Sequence, residues 1–363
     1  MSRGTAQRLA EREERSLEQV EAGGAPRRTR GYGRMVWEQF RRSKLNLAAA
    51  ALIGLLALVA VSADFLASDM PIAMRWQGQL YVLPNLLPDA KRPPELRRHS
   101  PAELRALLGE GDWALLTPIG RGPLDIDVTR RLQPPSAAEP LGTDGLGRSV
   151  AARVVHGSRI SLAVGVVSVS LYVLIGILLG ALAGYYRGWI DVLVSRLVEV
   201  MMVFPTFFLI LAIMGIVERP TIWHVMLVIG LTGWPGVARL IRGEILRVRE
   251  LDYVAATRAL GGSDGRIVLR HVIPNAIGPV FVAATFGVAG AILTESSLSF
   301  LGFGTPPPTA SWGELLTQAY DHAVTSGAWW LTVFPGLAIF LTVTAYNLVG
   351  EGMRDAMDPR LRR

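Results

Sequence analysis

Six runs of apolar residues punctuate the chain, at 45–66, 160–185, 192–217, 222–238, 277–299 and 328–349. Most are near the ~20 residues that a helix needs to cross a bilayer's hydrocarbon layer. Their spacing predicts an all-α integral membrane protein with six transmembrane helices. An even number of spans places both termini on one side. Pro205 lies inside the third run and Pro235 interrupts the short fourth one. A proline removes a backbone donor and crowds the preceding turn, so both helices are expected to kink there. The two prolines are candidate gating hinges.

The polar stretches between the runs fix the orientation. Arg34, Arg41, Arg42 and Lys44 precede the first span, Arg239, Arg242, Arg247 and Arg249 follow the fourth, and the tail ends in Arg360, Arg362 and Arg363. Residues 300–327 contain neither Lys nor Arg. Basic residues accumulate in cytoplasmic loops, so both termini are predicted cytoplasmic. The organisation follows: a cytoplasmic arm at 1–44, the first span at 45–66, an extracytoplasmic insertion at 67–159, a five-helix core at 160–350 and a cytoplasmic tail at 351–363. The insertion is rich in Arg, but loops of that length translocate largely regardless of charge. Within it, Ser100, Pro101 and Glu103 read as the start of a small helix that Gly109 or Gly111 ends. Leu146, Val150, Val154 and Val155 recur near helical spacing and predict an interfacial helix ahead of the second span. Val61, Ser62 and Ala63 resemble a signal-peptidase site, but the preceding arm is long and the run is span-length, which favours an uncleaved anchor.

Composition narrows the chemistry. There is no cysteine, which excludes thiol redox chemistry and disulfides. The net charge of +7 is accounted for by the orienting arginines, so no nucleic-acid partner is expected. His224 and His271 have no carboxylate or second His at ligand spacing, so no metal site is expected. "GTDGLG" at 142–147 lacks the Lys-Ser/Thr ending of a phosphate loop and reads as a turn. No nucleotide-binding fingerprint and no convergent acid, base or nucleophile set is present, Asp125, Asp127 and Asp144 reading as ordinary surface charge, so the chain is not expected to be an enzyme.

One hydrophilic segment, 249–275, fits neither span nor flexible linker. "RELDYVAATRAL" is made of good helix formers, and Gly261-Gly262 stops it. Ser263 and Asp264 can cap a second short helix, and Pro274 breaks the chain again before the fifth span. The prediction is helix, turn, helix. Val254, Ala255, Arg258 and Ala259 can share one face, whose small side chains let another surface approach closely.

"YVAATRALGGSDGRIVLRHVIPNA" resembles the cytoplasmic EAA loop of permease subunits in binding-protein-dependent ABC importers, with Gly261 on the motif's glycine and His271, Val272, Ile273 and Pro274 at its end. Ala255, Ala256 and Thr257 stand at the Glu-Ala-Ala positions, so the motif's glutamate is absent. "LGTDGLGRSVAARVVHGSRISL", "ESSLSFLGFGTPPPTASWGELL" and "WPGVARLIRGEIL" are similar to the C-type subunit of dipeptide and oligopeptide importers, and the similarity covers most of residues 35–358. The insertion is longer than a plain member needs and similar in size to that of a microcin and oligopeptide importer subgroup. The resemblance implies a multi-pass subunit of the bacterial cytoplasmic (inner) membrane that forms half of a translocation pathway for di- or oligopeptides. It implies as partners a homologous second permease, one or two cytoplasmic ATPase subunits and an external substrate-binding protein, within membrane lipid. ATP is then used by the ATPases and no cofactor is bound here. Nickel chelates, glutathione and peptide antibiotics are alternative cargoes in related systems. The docking residues it points to are Tyr253, Ala255, Ala256, Arg258, Gly261, Asp264, Arg270, His271 and Pro274, and with Ala255 in place of the glutamate, shape and apolar fit are expected to outweigh an ion pair.

Two further features bear on the pathway. Glu295 follows an apolar run and costs too much facing lipid, so it is expected in the bundle interior, against a partner subunit or at the outer interface, as a structural hydrogen-bonding group or a pathway residue. Arg196 and Glu199 can pair on one helical face. A rival class, the ion-coupled secondary transporter, wants midplane carboxylates and an inverted repeat; Glu199 and Glu295 are thin support for it, and no convincing repeat is visible.

Overall fold

The computed structural model describes residues 32–87, 103, 106–109, 111–304 and 306–358. The arm at 1–31, most of the helix expected at 100–111 and the last five residues lie outside them. A short helix α1 (Tyr32–Phe40) leads into α2 (Lys44–Val61), whose N-cap Ser43 accepts a hydrogen bond from the Asn46 amide. α2 is apolar around its whole circumference and buries only Ala49 and Ala60, as a helix at the lipid face would. A one-turn helix α3 (Ala63–Leu66) follows.

The segment after α3 departs from an all-helical reading. Strands β1 (Ala73–Trp76), β2 (Gln79–Val82) and β3 (Trp113–Leu115) form an antiparallel sheet in the order β2-β1-β3, with Ala73 opposite both Val82 and Leu115. Met70, Met74 and Trp76 make its small core. Strands of three or four residues are too short for alternation to stand out in the sequence.

α4 (Val150–Tyr186) has 37 residues and is about 55 Å long, well beyond the hydrocarbon thickness. It begins ten residues before the predicted span. The expected interfacial helix is therefore not separate: Val150, Val154 and Val155 form the first turns of α4. The predicted third span is two helices, α5 (Gly188–Val203) and α6 (Thr206–Ile216), bent by 82° about Phe204 and Pro205. α7 (Ile222–Val248) corrects the short fourth span, because it runs on through Pro235 and carries Arg239, Arg242 and Arg247 within its 27 residues. Packing against α4 buries the face of that helix on which Pro235 sits, and the helix continues past the proline.

α4 and α7 lie side by side in the same direction. Gly176, Gly180 and Gly184 face Val237, Ile241 and Ile245, and a Cβ on Gly180 would stand 2.0 Å from Ile241 Cγ2. Such small-residue seams let helix backbones approach within a membrane, where no hydrophobic force drives helices together. A segment of short helices (Asp252–Ala276) leads from α7 to α11 (Gly278–Phe300), which runs the opposite way, its Val288 and Ile292 against Gly165. α12 (Trp312–Ser326) is capped by Ser311 and ended by Gly327 at φ +65°, and α13 (Trp330–Met357) returns along α11 and α2. Among the described residues, five helices are long and apolar enough to cross a membrane, and α5 with α6 makes a sixth if the bent pair is one span.

The two ends of the bundle gather different segments. Gly33 and Val36 of α1, the Arg247 end of α7, Pro274 and the Met357 end of α13 surround one cavity. At the other end Trp330 Nε1 donates to the Thr143 carbonyl, and α12 packs on the start of α4. Among the described residues, those ahead of the first span, at the end of α7 and at the end of α13 thus share one end, and the described parts of 67–149 share the other with those of 300–327.

Candidate functional site

α7 gives way to α8 (Asp252–Ala259), α9 (Asp264–Ile267), one wide π turn (Val268–Val272) and α10 (Ile273–Ala276). α8 ends where the glycines required it. The Gly262 amide donates to the Thr257 carbonyl at 3.1 Å and the Gly261 amide to the Arg258 carbonyl at 3.0 Å, with Gly261 at φ +81°. This is a Schellman ending, which uses the left-handed conformation that only glycine adopts at little cost. Ser263 occupies the N-cap position of α9 without a side-chain capping bond. Pro274 does not break the chain as predicted. The π turn shifts the bonding pattern just ahead of it, and the helical path runs on to Ala276.

The segment is two-faced. Val254, Ile267, Val272 and Ala276 are fully buried and belong to the main core. Val254 therefore does not share the outer face with Ala255 and Ala259. Outward stand Ala255, Ala256, Ala259, Arg266 and Arg270, with Leu260 at 89% and Leu269 at 71% exposure. Tyr253 is exposed and donates a long hydrogen bond of 3.4 Å to the carbonyl of the half-buried His271. Pro274 is exposed at the edge of a cavity of about 890 Å³, whose lining includes Leu240, Phe281 and Phe286 as well as Glu244, Arg247 and Arg354.

Polar contacts tie the segment to the ends of α4 and α5. The Tyr185 hydroxyl donates to Asp264 Oδ1 at 2.7 Å and accepts from Arg258 Nη2 at 3.1 Å. Arg249 donates to the Tyr185 carbonyl. Alongside, Arg187 pairs with Glu250 at 3.0 Å and Arg242 with Asp191 at 2.8 Å. Arg258 and Asp264 thus turn toward α4, while Ala255, Ala256 and Arg270 face outward.

The other singled-out residues lie elsewhere. Glu295 on α11 is wholly buried, and its Oε1 accepts from Ser299 and Ser311, each at 2.8 Å. Pro205 sits at the start of α6, at the 82° bend, and Pro235 is buried inside α7. Arg196 pairs with Glu199 at 2.6 Å on an exposed face of α5. His224 caps α7, its Nδ1 accepting from the Thr221 amide at 3.2 Å.

Sequence reasoning missed a buried ion cluster at the opposite end. Asp144 is not ordinary surface charge. It is fully buried and accepts from Arg148 Nε at 2.7 Å, from the amides of Leu146 and Arg148, and from Arg153. Arg153, at 0% exposure, also donates to Glu314 on α12, and Gln318 accepts from both arginines at 3.1 Å. Two arginines and two carboxylates balance, as burial in low dielectric requires. Burial alone would raise the Asp144 carboxyl, but the charges of Arg153 and Arg148 and the backbone donors hold it below the usual range. Burial raises Glu314, which Arg153 offsets only in part. The i, i+4 spacing of Asp144 and Arg148 was the only local signal.

The family described as "Binding-protein-dependent transport system inner membrane component" matches residues 176–363, and the "N-terminal TM domain of oligopeptide transport permease C" matches residues 31–86. The chain is 38% identical over 238 residues to a dipeptide transport system permease protein of Alkalihalophilus pseudofirmus, covering 66% of this chain and 77% of that one. It is 40% identical over 236 residues to a glutathione transport system permease protein of Pectobacterium atrosepticum, covering 65% and 77%. Among solved structures, the inward-facing MetNI methionine ABC transporter aligns with 56% of this chain and 95% of that chain, at 20% identity and a TM-score of 0.44.

Proposed function

The chain belongs to the binding-protein-dependent transport system inner membrane components, and from that premise we propose that it is the C-type permease of an ATP-driven peptide importer, coupled to its ATPases through residues 249–275. It is a multi-pass protein of the inner membrane. Peptide cargo is supported by the names of the dipeptide and glutathione relatives, glutathione being itself a small peptide. A homologous permease completes the pathway, an external binding protein delivers the peptide, and ATP is consumed by the partner ATPases, not by this subunit.

One observation carries the docking assignment: the segment 252–276 is rooted in the core by Val254, Ile267 and Val272 yet presents Ala255, Ala256, Ala259, Leu260 and Leu269 to water. Solvent-exposed apolar groups gathered on a rigidly held element mark a protein contact. Ala255 supplies no charge, so the contact is apolar in kind. ATP binding draws the ATPases together, the docked segment moves with them, and the bundle changes between packed arrangements. Co-purification tests this. Leu260→Asp places a charge in that contact and is expected to strip the ATPases from the detergent-solubilised complex and abolish uptake. Full retention of both would sink the assignment.

A further inference from the structure

The strongest polar feature of the inner surface is one residue of α4 that holds three successive parts of the docking segment. Tyr185 lies in the last turn of α4 and is only 4% exposed. Its hydroxyl donates to Asp264, the first residue of α9, and accepts from Arg258 on α8. Its carbonyl accepts from Arg249, at the exit of α7. The guanidinium carbons of Arg258 and Arg249 lie 5.7 and 5.9 Å from its ring centre, within range of attraction to the ring's face. Both hydroxyl bonds have a charged partner, the stronger and more directional kind.

Apolar packing on Val254 and Ile267 roots the segment in the core, and the Tyr185 bonds add a fixed orientation to it. α4 is locked against α7 by the Gly176, Gly180 and Gly184 seam, and its far end carries Arg153 in the outer ion cluster. A displacement of α8 and α9 therefore reaches a continuous helix that runs to the opposite end of the molecule. We infer that Tyr185 is the positioning residue through which the docking segment moves α4 and, with it, α7. It touches neither ATP nor cargo; it acts by keeping α8, α9 and α4 in one rigid body while the ATPases move.

This inference rests on the docking reading above, and the experiment separates the two. The complete complex is reconstituted in liposomes with its binding protein, and peptide uptake and ATP hydrolysis are measured for Tyr185→Phe, Asp264→Ala and the double variant. Tyr185→Phe keeps the ring and its packing and removes only the hydroxyl. Both single variants are expected to retain their ATPases and hydrolyse ATP, while uptake per ATP falls about tenfold, the effect of one or two charge-assisted hydrogen bonds. The double variant is expected to fall no further than the worse single one, because the two side chains share one interaction. Uptake per ATP within about twofold of wild type in Tyr185→Phe overturns the inference; if that variant fails to assemble, the same result in Asp264→Ala does so. Independent, multiplying losses overturn it, as does loss of the ATPases from both single variants, which makes the contact a prop for the docking surface. Leu260→Asp is run in parallel: if it keeps its ATPases, the docking reading falls whatever Tyr185→Phe does.

Discussion

Leu260 and Arg153 show how differently single side chains register in a sequence. Leu260 precedes Gly261-Gly262, and the helix-ending glycines are legible without any structure; the Schellman turn then leaves the leucine in water. Arg153 gives no local hint of burial, because its partners Asp144 and Glu314 lie nine and 161 residues away. Removing one member of such a cluster strands a buried charge. Arg153→Ala is expected to cost roughly 3–5 kcal/mol and lower the melting temperature in detergent by several degrees. The cluster also makes stability depend on pH, with opposite signs. Asp144 is depressed, so its contribution is present above the ordinary carboxylate value of ~3.9 and is lost as pH falls through its lower folded value. Glu314 is raised, so its folded-state advantage is fully present below ~4.3 and is lost as pH rises through its higher folded value. Melting curves from pH 4 to 8 should show wild type losing stability over the part of that range Glu314 titrates, and Glu314→Gln should flatten that decline.

At the scale of elements, the glycines of α4 carry the clearest consequence. A Cβ at position 180 would meet Ile241 Cγ2 at 2.0 Å and the Ala238 carbonyl oxygen at 2.5 Å, whereas one at position 236 on α7 meets nothing within 4 Å. Gly180→Ile is expected to destabilise the bundle by at least ~1–3 kcal/mol through overpacking. Gly236→Ala should be neutral or stabilise α7 by up to ~1 kcal/mol through helix propensity. Thermal unfolding of the two variants in one detergent checks the contrast; equal melting temperatures would mean that α4 and α7 do not share this seam. Gly176, Gly180 and Gly184 were not singled out in the sequence, and their spacing alone does not say which helix they meet. Pro235 illustrates the converse. Local rules set the short fourth run to end near Ala238, and the helix runs on to Val248 with a whole face buried against α4.

For the whole molecule, the arrangement of the two ends is directly testable because the chain has no cysteine of its own. Leu269→Cys, on the docking segment, and Leu80→Cys, on the exposed face of β2, give one reactive thiol each. In intact cells a membrane-impermeant thiol reagent should label the second and reach the first only after the membrane is opened. Labelling of both from outside would reverse or abolish the orientation assigned from the arginines. The end opposite the docking segment also carries what hydropathy could not describe: a three-stranded sheet, and an ion cluster that joins Asp144 and Arg148 to Gln318 and, through Arg153, to Glu314 of α12.

What the sequence determined by itself is what depends on local composition: the apolar runs, the grouping of the arginine-bearing segments apart from the arginine-free one, and the helix-turn-helix shaped by Gly261. Hydropathy and glycine's backbone freedom act without any distant partner, so they can be read along one strand of letters. The tertiary structure alone decided that α4 begins at Val150, that α7 passes through Pro235, that Asp144 and Arg153 are buried, and that Tyr185 binds Arg258 and Asp264. The buried charges and the Tyr185 contacts depend on groups brought from far along the chain, and the courses of α4 and α7 on their packing against each other. Burying a charge is favourable only once its partner is in place, and one sequence does not state which of its many polar residues will supply it.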